Sequence, residues 1–253
     1  TNTIPFGQTC KATIPEIEQI CFVNDWYDEA VLKYQNNKII DKKITVSDNN
    51  FFDFFPFPIV KGAKKNILKE KNSVAISEGQ AKLLFKDDDP IGKPITYNDQ
   101  AYIVKSVYRI VTPSSIEPNY VFSGIVREYD LNSWGNFSYG LMIKTKKNVD
   151  INVVLKKMRN VNYVNVILKE AKKVGQTPEQ FIKENGEITN FLDQLKTLRL
   201  HGTKTSGDAS PEGKGNLQLI YIMAGLSILI LVLSLVNYIN LATASAIKRA
   251  KEV

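Results

Sequence analysis

The sequence predicts an α+β domain over residues 1–205 that runs into a single transmembrane helix. Three observations carry the prediction. Strand-period and helix-period stretches alternate through the first two hundred residues. A run of 33 positions between Lys214 and Lys248 contains no charge. A basic cluster, Lys248, Arg249 and Lys251, follows that run directly.

The uncharged run is the firmest element. A bilayer core needs about 20 apolar residues in a helix, and 33 residues rise roughly 50 Å at 1.5 Å each. Residues 216–247 are therefore read as a spanning helix with length to spare. Short basic flanks stay on the cytoplasmic side, which puts residues 1–215 outside the cytoplasm and leaves 248–253 as the start of a cytoplasmic segment. Tyr221 and Tyr238 are suited to the two interfaces. Asn237 and Asn240 lie three apart on one helical face, where amides in an apolar setting bond to a neighbouring helix; solvation at the inner interface is the plainer reading.

Within the outer domain, Ile14-Pro15-Glu16-Ile17-Glu18 reads as a helix or turn start. Phe22 to Ile44 reads as a hairpin with its turn at Asn36-Asn37. Phe51 to Pro58 carries five aromatics in eight positions, and its prolines forbid a central strand, so it is expected to pack between sub-elements. Val74-Ala75-Ile76 is a short strand, and Ser77 caps a helix through Phe85. Asp87-Asp88-Asp89-Pro90-Ile91-Gly92 is a turn, without the alternating oxygen ligands and distal Glu of a calcium loop. Strands follow at Pro94–Thr96 and Tyr102–Val111, separated by a turn at Asn98-Asp99, and Pro113 to Pro118 is a loop. Tyr139–Lys144 is a strand, and Asp150 caps a helix with Ile151, Val154, Leu155 and Met158 on one face. Residues 161–200 read as mainly helical, broken near Gly175 and Gly186, and residues 206–215 form a linker.

Composition excludes several function classes. The chain has 253 residues and a net charge of +7, but its lysines lie scattered in pairs such as Lys42-Lys43 and Lys172-Lys173 beside acidic residues. A nucleic-acid face would cluster them. A single histidine, His201, removes most triads and histidine metal sites, and Gly92-Lys93-Pro94 lacks the rest of a phosphate loop. The expectation is thus no catalytic residue, no metal site and no cofactor, with binding or force transmission in place of bond-making. Cys10 and Cys21 are read as separately buried thiols, with pairing left open. The chain begins at Thr1 and stops after a charged cluster, so it is read as part of a longer polypeptide.

Asn72-Ser73-Val74-Ala75-Ile76-Ser77-Glu78, with Ala81 to Phe85 and Asp89-Pro90-Ile91-Gly92-Lys93, resembles the extracytoplasmic core domain of MacB/FtsX-type ABC transporter permeases. Lys86 stands where that pattern carries a glycine after the phenylalanine. Phe51 to Gly62 is similar to the family's aromatic segment. Val236 to Ala244 with Lys248 to Val253 resembles its second transmembrane helix and exit, in the form found in Bacteroidetes-type bacteria. The resemblance implies a porter-like βαβ subdomain, built from both ends of the segment, with a β-rich lobe inserted at about 60–122. It implies a permease in the bacterial inner membrane whose outer domain is coupled mechanically to a separate cytoplasmic ABC ATPase for export or extraction of substrate. The ATPase would be touched by Lys248, Arg249, Lys251 and Glu252. A permease dimer and a periplasmic adaptor are further partners it brings. An FtsX-like regulator that binds a cell-wall enzyme or ligand is the alternative.

Overall fold

The structure is a computed structural model and describes residues 2–24, 29–111, 116–125, 128–195 and 217–250, with side chains to residue 246 in the last stretch. It opens with helix α1 (Ile4–Thr13), whose first turn is closed by the Thr3 hydroxyl accepting from the Phe6 N–H at 3.3 Å. The helix ends at Ile14, immediately before Pro15, as a residue preceding proline must leave the helical region. Of the helix or turn start expected at Ile14–Glu18, the turn is present at Pro15-Glu16, between the end of α1 and the first strand. Strands β1 (Ile17–Asn24), β2 (Ala30–Tyr34), β3 (Asn37–Asp41) and β4 (Ile44–Ser47) follow, then the one-turn helix α2 (Phe51–Phe54) and strand β5 (Ile59–Gly62). The next elements are β6 (Ser73–Ser77), α3 (Glu78–Phe85), β7 (Pro94–Tyr97), β8 (Gln100–Tyr108), β9 (Tyr120–Phe122), a 3-10 turn (Glu128–Asn132) and β10 (Gly140–Thr145). Helix α4 (Ile151–Asn162) continues through a π-helical turn (Tyr163–Ile167) into α5 (Leu168–Lys173). Helix α6 (Pro178–Asn185) and the long apolar helix α7 (Leu217–Ala250) complete the described chain.

Turn chemistry explains several boundaries. Asn98 and Asp99, both at positive φ (48° and 58°), join the paired residues Tyr97 and Gln100, as a tight hairpin requires. The other hairpin turns at Gln35-Asn36, one residue earlier than expected, because Asn37 already pairs with Tyr34. Phe22 to Asn24 belongs to β1 and not to that hairpin. Ser77 caps α3 and Asp150 caps α4, each accepting from a backbone N–H of the first turn. Gly175 and Gly186 supply positive φ at the ends of α5 and α6. Between 186 and 195 the chain is not helical, contrary to expectation. There Asn190 is buried and accepts from the Asn162 amide at 2.7 Å, and Leu192 packs under α4, so side-chain anchorage replaces helical bonding.

The ten strands of the described residues share one sheet, in the order β10-β1-β4-β9-β6-β8-β7-β2-β3, with β5 on the far part of β8. Segment 60–122 supplies β6 to β9, and hairpin β2–β3 joins them along β7. β4 meets β9 in parallel and β9 meets β6 antiparallel. Because side chains alternate along a strand, β6 is buried on both faces. Val74 and Ile76 enter one cluster with Leu32, Leu84, Phe85, Tyr97 and Phe122, while Ala75 enters another with Phe51, Phe57, Tyr108 and Val121. The aromatic segment thus packs between sub-elements as expected: Phe51, Phe55 and Phe57 are buried against the sheet.

On the remaining face, α1 and α4 lie against β1 through Phe6, Cys10, Ile14, Val154 and Met158. The approach is close. A Cβ on Gly7 would stand 2.4 Å from the Phe22 ring. Cys10 and Cys21 sit in different clusters, and both are free and buried. The observed architecture is the α+β fold with one long apolar helix that the sequence predicts.

Candidate functional site

Two places in the chain combine exposure or polarity with an arrangement that packing alone does not require. The first is α7, 34 residues long and roughly 50 Å at 1.5 Å per residue. Residues Leu217–Ala246 are apolar and long enough to cross a membrane. From 218 to 246 every side chain is exposed. An uncovered surface of Leu, Ile and Val on this scale is stable only against lipid or other helices.

The polar groups on α7 fall into two kinds. Ser227 donates to the Met223 carbonyl at 2.9 Å, and Thr243 donates to the Ile239 carbonyl at 2.8 Å, so each hydroxyl is satisfied by its own helix. Asn237 and Asn240 lie one turn apart and form no such bond among the described residues. An amide carries two donors and an acceptor, more than the turn before it can satisfy. Lys248 and Arg249 fall in the last turn of α7, with their side chains outside the described residues, as are Lys251, Glu252, His201 and the linker 206–215.

The second place lies where β1, β4 and α2 meet, and no sequence signal marks it. The Asp48 carboxylate accepts from the Phe22 N–H at 2.8 Å. The Ser47 hydroxyl donates to the Phe22 carbonyl at 2.7 Å, and the Asn50 amide donates to the Ile20 carbonyl at 2.7 Å. β4 itself pairs with β1 only at Val23 and Asn24. The Ser47, Asp48 and Asn50 side chains therefore extend the ladder along β1 past its last paired residues, beside the Asp48 N–H, which donates to the Phe22 carbonyl at 3.3 Å. Burial pushes the Asp48 carboxyl up to about 6, against the lowering effect of the Phe22 N–H.

Cys21, Ser47 and Asp48 together have the composition of a nucleophile, a hydroxyl and an acid. The chemistry does not follow. Burial pushes the Cys21 thiol up to about 12 and outweighs the lowering effect of the Ser47 hydrogen bond, while the nearby Asp48 charge adds a smaller upward push. Only the thiolate attacks, and the Ser47 proton is committed to a carbonyl. The cluster fastens strands.

Two of the three consecutive aspartates resolve into ion pairs. Asp88 lies 2.6 Å from the Lys93 ammonium and accepts from the Tyr34 hydroxyl at 3.2 Å. Asp89 lies 2.9 Å from Lys61. These lysines hold both carboxyls below the usual carboxylate range. No group of three or more His, Cys, Asp or Glu side chains is placed to hold a metal ion among the described residues.

Residues 3–161 match the model of the MacB-like periplasmic core domain. A permease domain from Porphyromonas gingivalis superposes with a TM-score of 0.59 at 18% identity, covering 69% of this chain and 75% of its own. That likeness is one of fold. The periplasmic region of MacB from Actinobacillus actinomycetemcomitans is 14% identical with a TM-score of 0.48, covering 75% of this chain and 85% of its own. The extracellular domain of the noncanonic ABC-type transporter YknZ from Gram-positive bacteria is 17% identical, also at 0.48, covering 64% and 83%. No curated protein matches the sequence.

Proposed function

The chain belongs to the family defined by the MacB-like periplasmic core domain, and from that premise we propose that it is the transmembrane permease subunit of a MacB/FtsX-like ABC transporter. It is a membrane protein with an extracytoplasmic segment, of the kind found in ABC transporter permeases. On our reading it sits in the inner membrane, and a separate cytoplasmic ATPase closes and moves the outer domain through α7, for export or extraction of substrate.

The single observation that carries the reading is the pairing of that domain with α7. A bilayer core takes about 30 Å of helix. An α-helix of roughly 50 Å leaves about 20 Å outside it, in one hydrogen-bonded rod. Such a rod transmits displacement from Lys248, Arg249, Lys251 and Glu252 at one end without a substrate tunnel through the bilayer. Asn237 and Asn240 would then bond to a neighbouring helix of the same subunit or of a second permease copy. A periplasmic adaptor is a compatible further partner.

The test is purification of the full-length protein from membranes with mass spectrometry of what remains bound. An ABC ATPase is the expected companion. A cell-wall hydrolase or a kinase without an ATPase would overturn the transporter reading in favour of an FtsX-like regulator. With the ATPase in hand, charge reversal at Lys248, Arg249 and Lys251 should lower substrate-stimulated hydrolysis and leave the outer domain's melting unchanged. Unaltered hydrolysis would remove these residues from the coupling path.

A further inference from the structure

The sheet path ends at β3, and no strand pairs with its outer edge among the described residues. Strands β2 and β3 are joined by a two-residue turn, so the closing pair Tyr34–Asn37 exchanges hydrogen bonds and the bonded pairs then alternate. The backbone groups of Lys38 and Ile40 therefore point away from β2. Their side chains share the solvent face, where Lys38 stands opposite Lys33 and Ile40 opposite Val31. Ile40 is 66% exposed and Val31 is 45% exposed.

This edge departs from ordinary protection. Natural sheets blunt their edges with a lysine, but two lysines directly opposite one another repel and cost stability. Neither Lys33 nor Lys38 forms an ion pair among the described residues. Elsewhere on the same sheet the pattern differs. At the opposite edge Lys144 of β10 lies 3.2 Å from Glu18, and at the open end of the hairpin Lys42 lies 2.9 Å from Glu29. The hairpin is also held firmly from beneath. The Asn37 amide donates to the Leu84 carbonyl of α3 at 3.1 Å, and the Tyr34 and Phe85 rings lie 4.3 Å apart. It is a preformed template with unmatched positive charge beside unmatched apolar surface.

We propose that β3 takes an extended acidic segment of a partner protein as an additional strand. Backbone bonds to Lys38 and Ile40 would supply affinity. A carboxylate side chain would lie against Lys33 and Lys38, and a branched apolar side chain against Val31 and Ile40. A second copy of this chain is the poorer occupant, because it brings two more lysines and no acid to the same face. The inference stands apart from the transporter reading, since a regulator's outer domain would present the same edge.

The experiment uses the full chain in detergent micelles and a synthetic octapeptide of alternating glutamate and valine. Binding is read by fluorescence anisotropy and by hydrogen exchange over residues 30–41. The peptide should slow exchange at Lys38 and Ile40. The double variant Lys33→Glu, Lys38→Glu should bind it about tenfold more weakly, and should gain affinity for the lysine–valine octapeptide. This exchange of preference distinguishes lost charge from lost folding, which would weaken both peptides. Equal binding of both peptides by the parent chain, no binding at millimolar peptide, or a Lys38→Cys variant that crosslinks two copies across β3 would overturn the proposal.

Discussion

Asp48 offers the sharpest test of how the outer domain is held together. Its carboxyl titrates near 6 in the folded chain against an ordinary value of 3.8. The folded state therefore binds the proton more tightly than the unfolded chain does. Its contribution to stability is complete below pH 3.8 and is lost as the pH rises through 6, the reverse of a salt-bridged carboxylate. The rise from 3.8 to about 6 corresponds to about 3 kcal/mol. Asp48→Asn keeps an oxygen to accept from the Phe22 N–H and removes the charge that burial disfavours. At pH 7.5 the variant should be more stable by up to about 3 kcal/mol, or roughly 6–12 °C in melting temperature for a chain of this size. Below pH 4 the two proteins should converge. Thermal melts of parent and variant at pH 4, 5, 6 and 7.5 measure the difference. Because Glu78, Asp88 and Asp89 have lowered values and act in the opposite sense, only that difference isolates Asp48. A variant less stable than the parent at pH 7.5, or a constant gap across the range, would refute the reasoning.

Gly7→Ala drives a methyl into the Phe22 ring and should cost about 1–3 kcal/mol in a melt. Lys86 ends α3 at φ 55°, ψ −114°, a conformation costly for any residue but glycine, so Lys86→Gly should raise stability by about 1 kcal/mol or more. Cys10 and Cys21, both pushed up to about 12 by burial, should resist maleimide at pH 7.5 in the folded chain and react after denaturation, as mass spectrometry would show. Asn237→Leu with Asn240→Leu should reduce crosslinking of α7 to other membrane helices, while the outer domain melts as before.

What could be read in advance was whatever depends on near neighbours in the chain. Ser77 and Asp150 cap their helices because capping is settled within three residues, and Asn98-Asp99 turns because both residues tolerate positive φ. The uncharged run needs no context at all. The Ser47–Asp48–Asn50 cluster was invisible because its partners, Ile20 and Phe22, lie over twenty residues away and contribute only backbone atoms. The stretch after Gly186 departs from the helix its sequence predicts for a related reason. Asn190 and Leu192 are placed by distant side chains, and no local periodicity records that. Lys86 stands where the family pattern carries a glycine, and its backbone at φ 55°, ψ −114° shows why a glycine suits the position.

The three-residue strand β9 also governs the order in which the domain can assemble. It binds β4 through Ile44–Val46 on one side and β6 through Val74–Ile76 on the other, so the two halves of the sheet cannot join before residue 122 is in place. The outer pairing comes later still, because Ile20 waits for Ile143. Closures over such separations carry a large loop entropy and are slow. While the chain emerges on the far side of a membrane, β1 is therefore the segment left longest with open backbone and apolar side chains, and the stage most in need of protection from other chains ends when β10 arrives.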